Sequence, residues 1–419
     1  MKRANNINPA ILEWARETAG LELEEAVGRL GFIKATEEES AAQRLLSFES
    51  GERKPTRNQL LKFATVYRRP LLTFYMKQPP ARGDRGEDFR QTASRLPRRE
   101  NSLLDALLRD IHARQEMVRS LIEDEEETRE LPFVGSAKID QGADTVAASI
   151  AATLQFTHRN RASRRGDADA LFETLRERAE SVGVFVLLAG DLGSYHTALG
   201  PEVFRGFAIA DRIAPFVIIN NQDARAARSF TLLHELAHVW LDTSGVSGAP
   251  SPETPTSLRD RIERFCNDVA GEFLLPAVAL RTRTEKPIAG NKESAAEFIR
   301  VLSDEWSVSE PMAAYRLNRT GLVETRIYRE LVADYAVRWQ RHRQRQREQN
   351  RNDGSGPNRH VVIRSRLGHA LLDVARRNLR ENTLTHTKAA KLLGVKAGAV
   401  EPLLRGYEQN RGAMIQSAG

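Results

Sequence analysis

Cysteine is almost missing from this chain of 419 residues, Cys266 being the only one. A lone thiol excludes a disulfide framework. No apolar run approaches the roughly 20 residues that a bilayer-spanning helix needs, and no secretory leader is recognisable. With the cysteine count, that predicts a protein of the reducing cytoplasm with no membrane partner. Histidine is scarce too, with nine in all. Apolar residues are not lacking: at 41% they suffice for real cores in two to four domains. The formal charge of +7 admits contact with nucleic acid, but the positive charge is unevenly spread.

Two of the few histidines frame a glutamate in His234-Glu-Leu-Ala-His238. A helix advances about 100° per residue, so His234 and His238 lie one turn apart on one face, where two imidazoles can share a Zn2+ ion. Glu235 is placed beside them to take a proton from the attacking water, the general-base role in metal-assisted hydrolysis. Chance would produce this spacing in a chain so poor in histidine on the order of one time in a hundred. The flanking Phe230, Leu232, Leu233, Leu236, Ala237, Val239, Trp240 and Leu241 are apolar or small, which predicts a buried helix with one polar patch.

Catalytic zinc usually takes three protein ligands. Residues 258–276 have helical spacing, with Glu263, Asn267 and Ala270 on one face. That phase favours Glu263 as the third ligand, Asn267 as a supporting neighbour and Ala270 at a close helix approach. Glu272 falls about half a turn away and is the weaker candidate. Pro276 closes the helix.

The block Phe230-Thr-Leu-Leu-His-Glu-Leu-Ala-His238, followed by Ile262-Glu-Arg-Phe-Cys-Asn-Asp-Val-Ala-Gly-Glu-Phe-Leu-Leu-Pro276, resembles the ImmA/IrrE family of zinc metallo-endopeptidases. The resemblance implies His234, His238 and Glu263 as metal ligands, Glu235 as catalytic base, and a transcriptional repressor of a mobile element or stress regulon as protein substrate. The chain departs from the family at Cys266, where alanine is common, and at Phe265, where a second acidic residue is frequent. Cys266 reads as a small buried packing residue. Zn2+ is the expected ion, one per chain, although Mn2+ accepts the same ligands.

Three runs before the motif, 183–189, 204–210 and 214–220, are β-branched or apolar and bounded by turn residues, so they predict a small sheet beside the metal helix. An edge of that sheet would suit an extended peptide. Tyr195 and His196, in the loop after the first run, are candidate donors to a tetrahedral oxyanion. The fold class expected is α+β, a mostly helical chain with a zincin-like domain.

The first eighty residues show four short helical patterns, at 9–20, 23–31, 41–51 and 56–67. The stretch 48–56 is similar to the turn after the recognition helix of XRE-type (Cro/C1-like) helix-turn-helix regulators. Gln43, Arg44 and Ser47 are then candidate base readers, with Arg53, Lys54 and Arg57 on the DNA backbone. Against this, Glu37, Glu38, Glu39 and Glu49 place negative charge beside the recognition helix, where it would repel phosphate. Two readings stay open: a DNA-binding domain, or a module that docks on protein.

The expected organisation is an XRE-like domain over 1–80, a helical connector over 81–130, the peptidase domain with a helical extension over 131–345, a flexible basic and Gly-Ser linker over 346–358, and a small helical domain over 359–419. The connector includes Asp88-Phe-Arg90, a segment also found in long family members, and an amphipathic run over 101–123 with an acidic end. Residues 338–351 read as a frayed basic helix. Helix-turn-helix-like patterns recur at 303–322, which would brace the catalytic domain, and at 385–400, where Ala390, Gly394 and Val400 have the small, turning and buried positions. The function expected is a zinc-dependent endopeptidase of protein substrates. The competing readings are a DNA-binding regulator or an antitoxin-type interaction protein whose metal site is sensory or structural.

Overall fold

The computed structural model describes residues 7–32, 40–79, 96–124, 128–157, 167–247, 256–284, 288, 291–352 and 358–407, apart from the side chains of Tyr195 and of residues 346, 347 and 349–352. Glu37, Glu38, Glu39, the Asp88-Phe-Arg90 segment and residues 353–357 of the expected linker lie outside the described residues. The chain packs as two units, Met1–Ile111 with Ser194–Leu199, and His112–Gly193 with Gly200–Gly419.

The first unit contains α1 (Pro9–Thr18), α2 (Leu23–Leu30), α3 (Ala41–Glu49) and α4 (Arg57–Val66). Asn8 caps α1, with Pro9 at its first position. Ser40 and Thr56 form capping boxes with Gln43 and Gln59 at the starts of α3 and α4. These caps satisfy N–H groups that the helices cannot. Ile11, Leu12, Ala15, Leu45, Phe48, Leu60 and Phe63 form the core. Across it, Arg16 Nε and Nη2 donate to the two carboxylate oxygens of Glu49 at 2.7 and 2.9 Å, and Nη1 donates to the carbonyl of Leu21. The pair is buried and bidentate, and the bond to Glu49, against the cost of burial, raises the Arg16 pKa. The boundary between the units falls within α5 (Arg98–Glu123).

The second unit continues with α6 (Ala143–Thr153), α7 (Ala168–Ser181), β1 (Phe185–Leu188), β2 (Gly206–Ile209), β3 (Phe216–Ile219), α8 (Arg228–Trp240), β4 (Gly245–Ser247), α9 (Leu258–Leu274) and the short α10 (Ala277–Arg281). The sheet order is β1-β3-β2-β4. β1 runs parallel to β3, with Phe185 opposite Phe216, while β2 is antiparallel to both β3 and β4, Gly206 standing opposite Ile219 and Ser247. Every strand residue is buried, which explains why the three longer strands read as apolar runs rather than alternating ones. The sheet, α6, α8 and α9 share one large core. Trp240 at the end of α8 stacks on Phe133 at 4.5 Å and donates from Nε1 to the Ser149 hydroxyl on α6. The chain is thus mostly helical with a small mixed sheet, an α+β architecture.

Downstream, α11 (Lys292–Trp306) and α12 (Glu310–Arg319) flank Ser307, whose φ of 52° makes the turn. α12 is fastened to α9: Tyr315 Oη donates to Asp268 at 2.8 Å, Arg319 grips the same carboxylate at 2.7 and 2.6 Å, and Arg316 Nε donates to the Leu275 carbonyl. The segment 303–322 therefore braces the helix that carries Glu263. After it, α13 (Thr325–Asn352) runs unbroken through the arginine-rich stretch.

The tail belongs to the second unit. α14 (Arg359–Arg380) is broken at Gly368, whose φ of 78° admits no ordinary side chain, and α15 (His386–Leu393) ends in left-handed Gly394. At the break, buried Arg176 of α7 donates to the carbonyls of Val186 on β1 and Ser365 on α14, at 2.8 and 2.6 Å. The Glu180 carboxylate lies 3.3 Å from Arg176 and accepts from the N–H groups of His369 and Ala370. A Cβ on Gly368 would meet Glu180 Oε1 at 2.0 Å. Burial pushes the Glu180 carboxyl up despite Arg176 and those two donors.

Arg16→Met leaves the Glu49 carboxylate buried and uncompensated. It is expected to destabilise the first unit by about 3 to 5 kcal/mol, read as a shift of its transition in denaturant unfolding followed by a probe within residues 1–80.

Candidate metal centre

Helix α8 carries His234, Glu235 and His238 side by side, none of them more than 3% exposed. Leucines 232, 233 and 236 pull the rest of the helix into the core, so the polar face has nowhere to turn except toward α9 and β4. α9 starts at a capping box between Ser257 and Asp260. Two turns into it, Glu263 and Asn267 meet the histidines, and fully buried Ala270 permits the close approach.

The two Nε2 atoms converge to 3.1 Å, and each is 3.4 Å from an oxygen of Glu263. One ligand atom from each of the three residues can be chosen so that all lie within 4.8 Å of one another. The outer ring nitrogens are held from behind. Asn267 Oδ1 can only accept, so the His234 Nδ1 at 2.9 Å donates to it. The Thr243 hydroxyl donates to the His238 carbonyl at 3.3 Å and accepts from His238 Nδ1 at 2.9 Å. Both imidazoles are thereby oriented with Nε2 toward each other and the carboxylate. Two nitrogen lone pairs and a carboxylate at this separation repel unless a positive charge lies among them. Two imidazoles and one carboxylate are also a donor set suited to zinc, so these residues fit the ion that the sequence implied.

Electrostatics show the same demand. Burial disfavours an imidazolium at His234, but Glu263, helped by Glu235 and Asn267, outweighs it and raises the pKa. Burial likewise opposes ionisation of Glu263, yet the two histidines hold its carboxyl well below the usual range. Glu235 differs. Its side chain is 0% exposed, neither carboxylate oxygen meets a donor in full hydrogen-bond geometry although the Ser247 hydroxyl lies close, and burial pushes its pKa up to about 7 against the pull of His234 and His238. The nearby Ser247 hydroxyl, itself 2.9 Å from His234 Nε2, offsets only part of that.

Gly206 on β2 makes the room for this carboxylate. A Cβ there would stand 2.7 Å from Glu235 Oε1 and 2.7 Å from the Thr231 methyl. Thr243, Ser247 and Gly206 were not singled out from the sequence. Thr243 follows α8 by only three residues, which is the one local hint; the other two come to the site through strand pairing.

Glu272 pairs with Arg316 and accepts from the Ala277 N–H at 3.1 Å, so it serves the end of α9 and not the histidines. Cys266 is buried in the core. His196 lies in a 3-10 turn grouped with the first unit; its side chain is exposed and its carbonyl accepts from Arg99 at 3.2 Å. The Tyr195 side chain lies outside what is described. On α3, the Gln43 amide oxygen accepts from the Ser40 N–H at 2.7 Å, Ser47 is buried and donates to the Arg44 carbonyl at 2.8 Å, and the Arg44 guanidinium lies over Phe32 at 5.4 Å. Arg53 is exposed.

A metal ion and a proton compete for His234 Nε2, and the raised His234 pKa strengthens the proton. Zn2+ affinity is therefore expected to fall as pH drops through that raised value, with protons released on binding; titration calorimetry in buffers of different ionisation enthalpy measures both. Thr243→Val removes the acceptor behind His238 and should weaken Zn2+ binding by about 10- to 100-fold without unfolding the unit.

No curated protein and no solved structure matches the chain. Residues 189–318, which run from just after β1 into α12 and include His234, Glu235, His238 and Glu263, match the family model described as the IrrE N-terminal-like domain, Peptidase_M78, and that match supports a metallopeptidase of the ImmA/IrrE kind.

Proposed function

We propose that this chain is a zinc-dependent endopeptidase of the cytoplasm that hydrolyses a peptide bond in a protein, a transcriptional repressor being the substrate the family resemblance suggests. The observation that carries the reading is the orphaned Glu235 carboxylate, buried beside the converged His234, His238 and Glu263. A carboxylate without a donor costs stability in a low-dielectric interior, and a hydrolytic site gives it a use.

His234, His238 and Glu263 would hold the ion, which when bound polarises the scissile carbonyl and acidifies water at the site. Glu235 takes a proton from the attacking water as its oxygen bonds to the carbonyl carbon, then delivers that proton to the amide nitrogen as the C–N bond breaks. Both transfers use one carboxylate, so no further acid is required. With only the Ser247 hydroxyl close to it, its lone pairs stay largely available, and Gly206 keeps it from being displaced. Asn267 and Thr243 fix the ring orientations, and α12 steadies α9 through Asp268. β4 is an edge strand whose Ser247 reaches His234, so a peptide adding along that edge would enter next to the metal ligands.

Glu235→Gln keeps size and polarity but removes the base. It should retain Zn2+ and the thermal transition while proteolysis of a candidate repressor falls at least a hundredfold, as scored by gel and mass spectrometry. Unchanged cleavage by this variant, or by chelated wild-type protein, would overturn the enzymatic reading and favour a sensory or structural metal in a regulator or interaction protein. Gly206→Ala is expected to reduce cleavage while sparing metal content, since the atoms nearest its methyl group belong to Glu235 and Thr231.

A further inference from the structure

Helix α13 projects an arginine row that neither the metal centre nor the core uses. Arg338, Arg341 and Arg345 recur at spacings of three and four, so they share one face with about 5 Å of rise between them. Val337, Arg338, Arg341, His342 and Arg345 are all exposed. The acidic groups around the helix are largely engaged. Asp334 pairs with Lys292 at 2.5 Å, Glu310 of α12 pairs with Arg338, Glu202 lies 3.7 Å from Arg343, and Glu348 accepts from Gln344 at 3.4 Å. Arg341 and Arg345 have no ion pair or hydrogen bond among the described residues.

We propose that this face of α13 binds the phosphate backbone of duplex DNA without reading sequence. Three features favour that partner. The cations are arginines, whose planar forks suit phosphate oxygens better than a point charge does. They lie along a continuous helix with neutral glutamines between them, the pattern of backbone contact rather than of a single ion pair. The row presents no exposed phenyl, phenol or indole ring among the described residues: Tyr335 is buried, Trp339 is half-buried and covered by Arg343 at 5.1 Å, and His342 is the one exposed ring on it. Single strands are usually held on platforms of several stacking rings, which a lone imidazole does not make. The first unit is a weaker place for the contact, because the polar groups of Gln43 and Ser47 on α3 are engaged within the domain and Arg44 lies against Phe32.

The full-length protein is titrated into a fluorescent 20-base-pair duplex of mixed sequence by anisotropy at several salt concentrations. Binding should weaken steeply with salt and be indifferent to sequence. The Arg341→Gln/Arg345→Gln variant should weaken it roughly tenfold and reduce the log-log salt slope by about 2, with unchanged helicity by circular dichroism and unchanged Zn2+ content. Three results would overturn the proposal: no binding by the wild type; binding unaffected by that variant but lost in Arg53→Ala/Lys54→Ala/Arg57→Ala, which would place the contact in the first unit; or binding of poly-glutamate in preference to the duplex, which would make the partner an acidic protein.

Discussion

Two imidazole nitrogens facing each other at 3.1 Å, with a carboxylate closing on both, form the arrangement around which the second unit is organised. Left alone, such a cluster is unfavourable. It persists because each group is held from behind: Asn267 holds one ring, Thr243 the other, and Glu263 is carried by a helix that α12 ties down through Asp268. The apolar residues of α8 supply the remaining constraint, since rotating the helix to relieve the cluster would bring leucines and Trp240 out of the core. Packing thus holds the polar groups in a geometry that only added positive charge relaxes.

Much of this centre could be read before any coordinates, because its parts are periodic. The i, i+4 histidines and the phase of Glu263 and Asn267 follow from helical geometry alone, and the three longer strands were visible as apolar runs. What stayed hidden lacks a period. β4 is three residues long with one large apolar side chain, and Gly206 and Ser247 matter only because β2 and β4 lie beside α8. On α3 the difficulty was of another kind. Gln43 and Ser47 look like base readers in a helix-turn-helix frame, but amide and hydroxyl groups also find local backbone partners: Gln43 closes a capping box at the start of the helix, and Ser47 donates to the Arg44 carbonyl in its last turn. Arginine and glutamine, which suggested fraying over 338–351, are good helix formers, and α13 continues to Asn352.

The two units use buried charge in contrasting ways. Arg16 and Glu49 form a closed, bidentate pair in which donors and acceptors match, so the ionic contact fixes how α1 meets α3 and has no spare valence. Glu235 is the opposite case, a buried carboxylate with no matched set of donors around it. The first arrangement suits a scaffold and the second suits chemistry.

The clasp at Gly368 bears on where this protein ends as a working unit. The Gly-Ser-Gly-Pro stretch at 354–357 is the obvious place to trim the chain to a minimal catalytic body. Doing so would strip Glu180 of two amide donors, take from Arg176 a carbonyl it holds, and bare the flank of β1 to whatever strand came near. Residues 358–407 are therefore a piece of the wall, and a shortened version would have to be soluble in spite of its missing side.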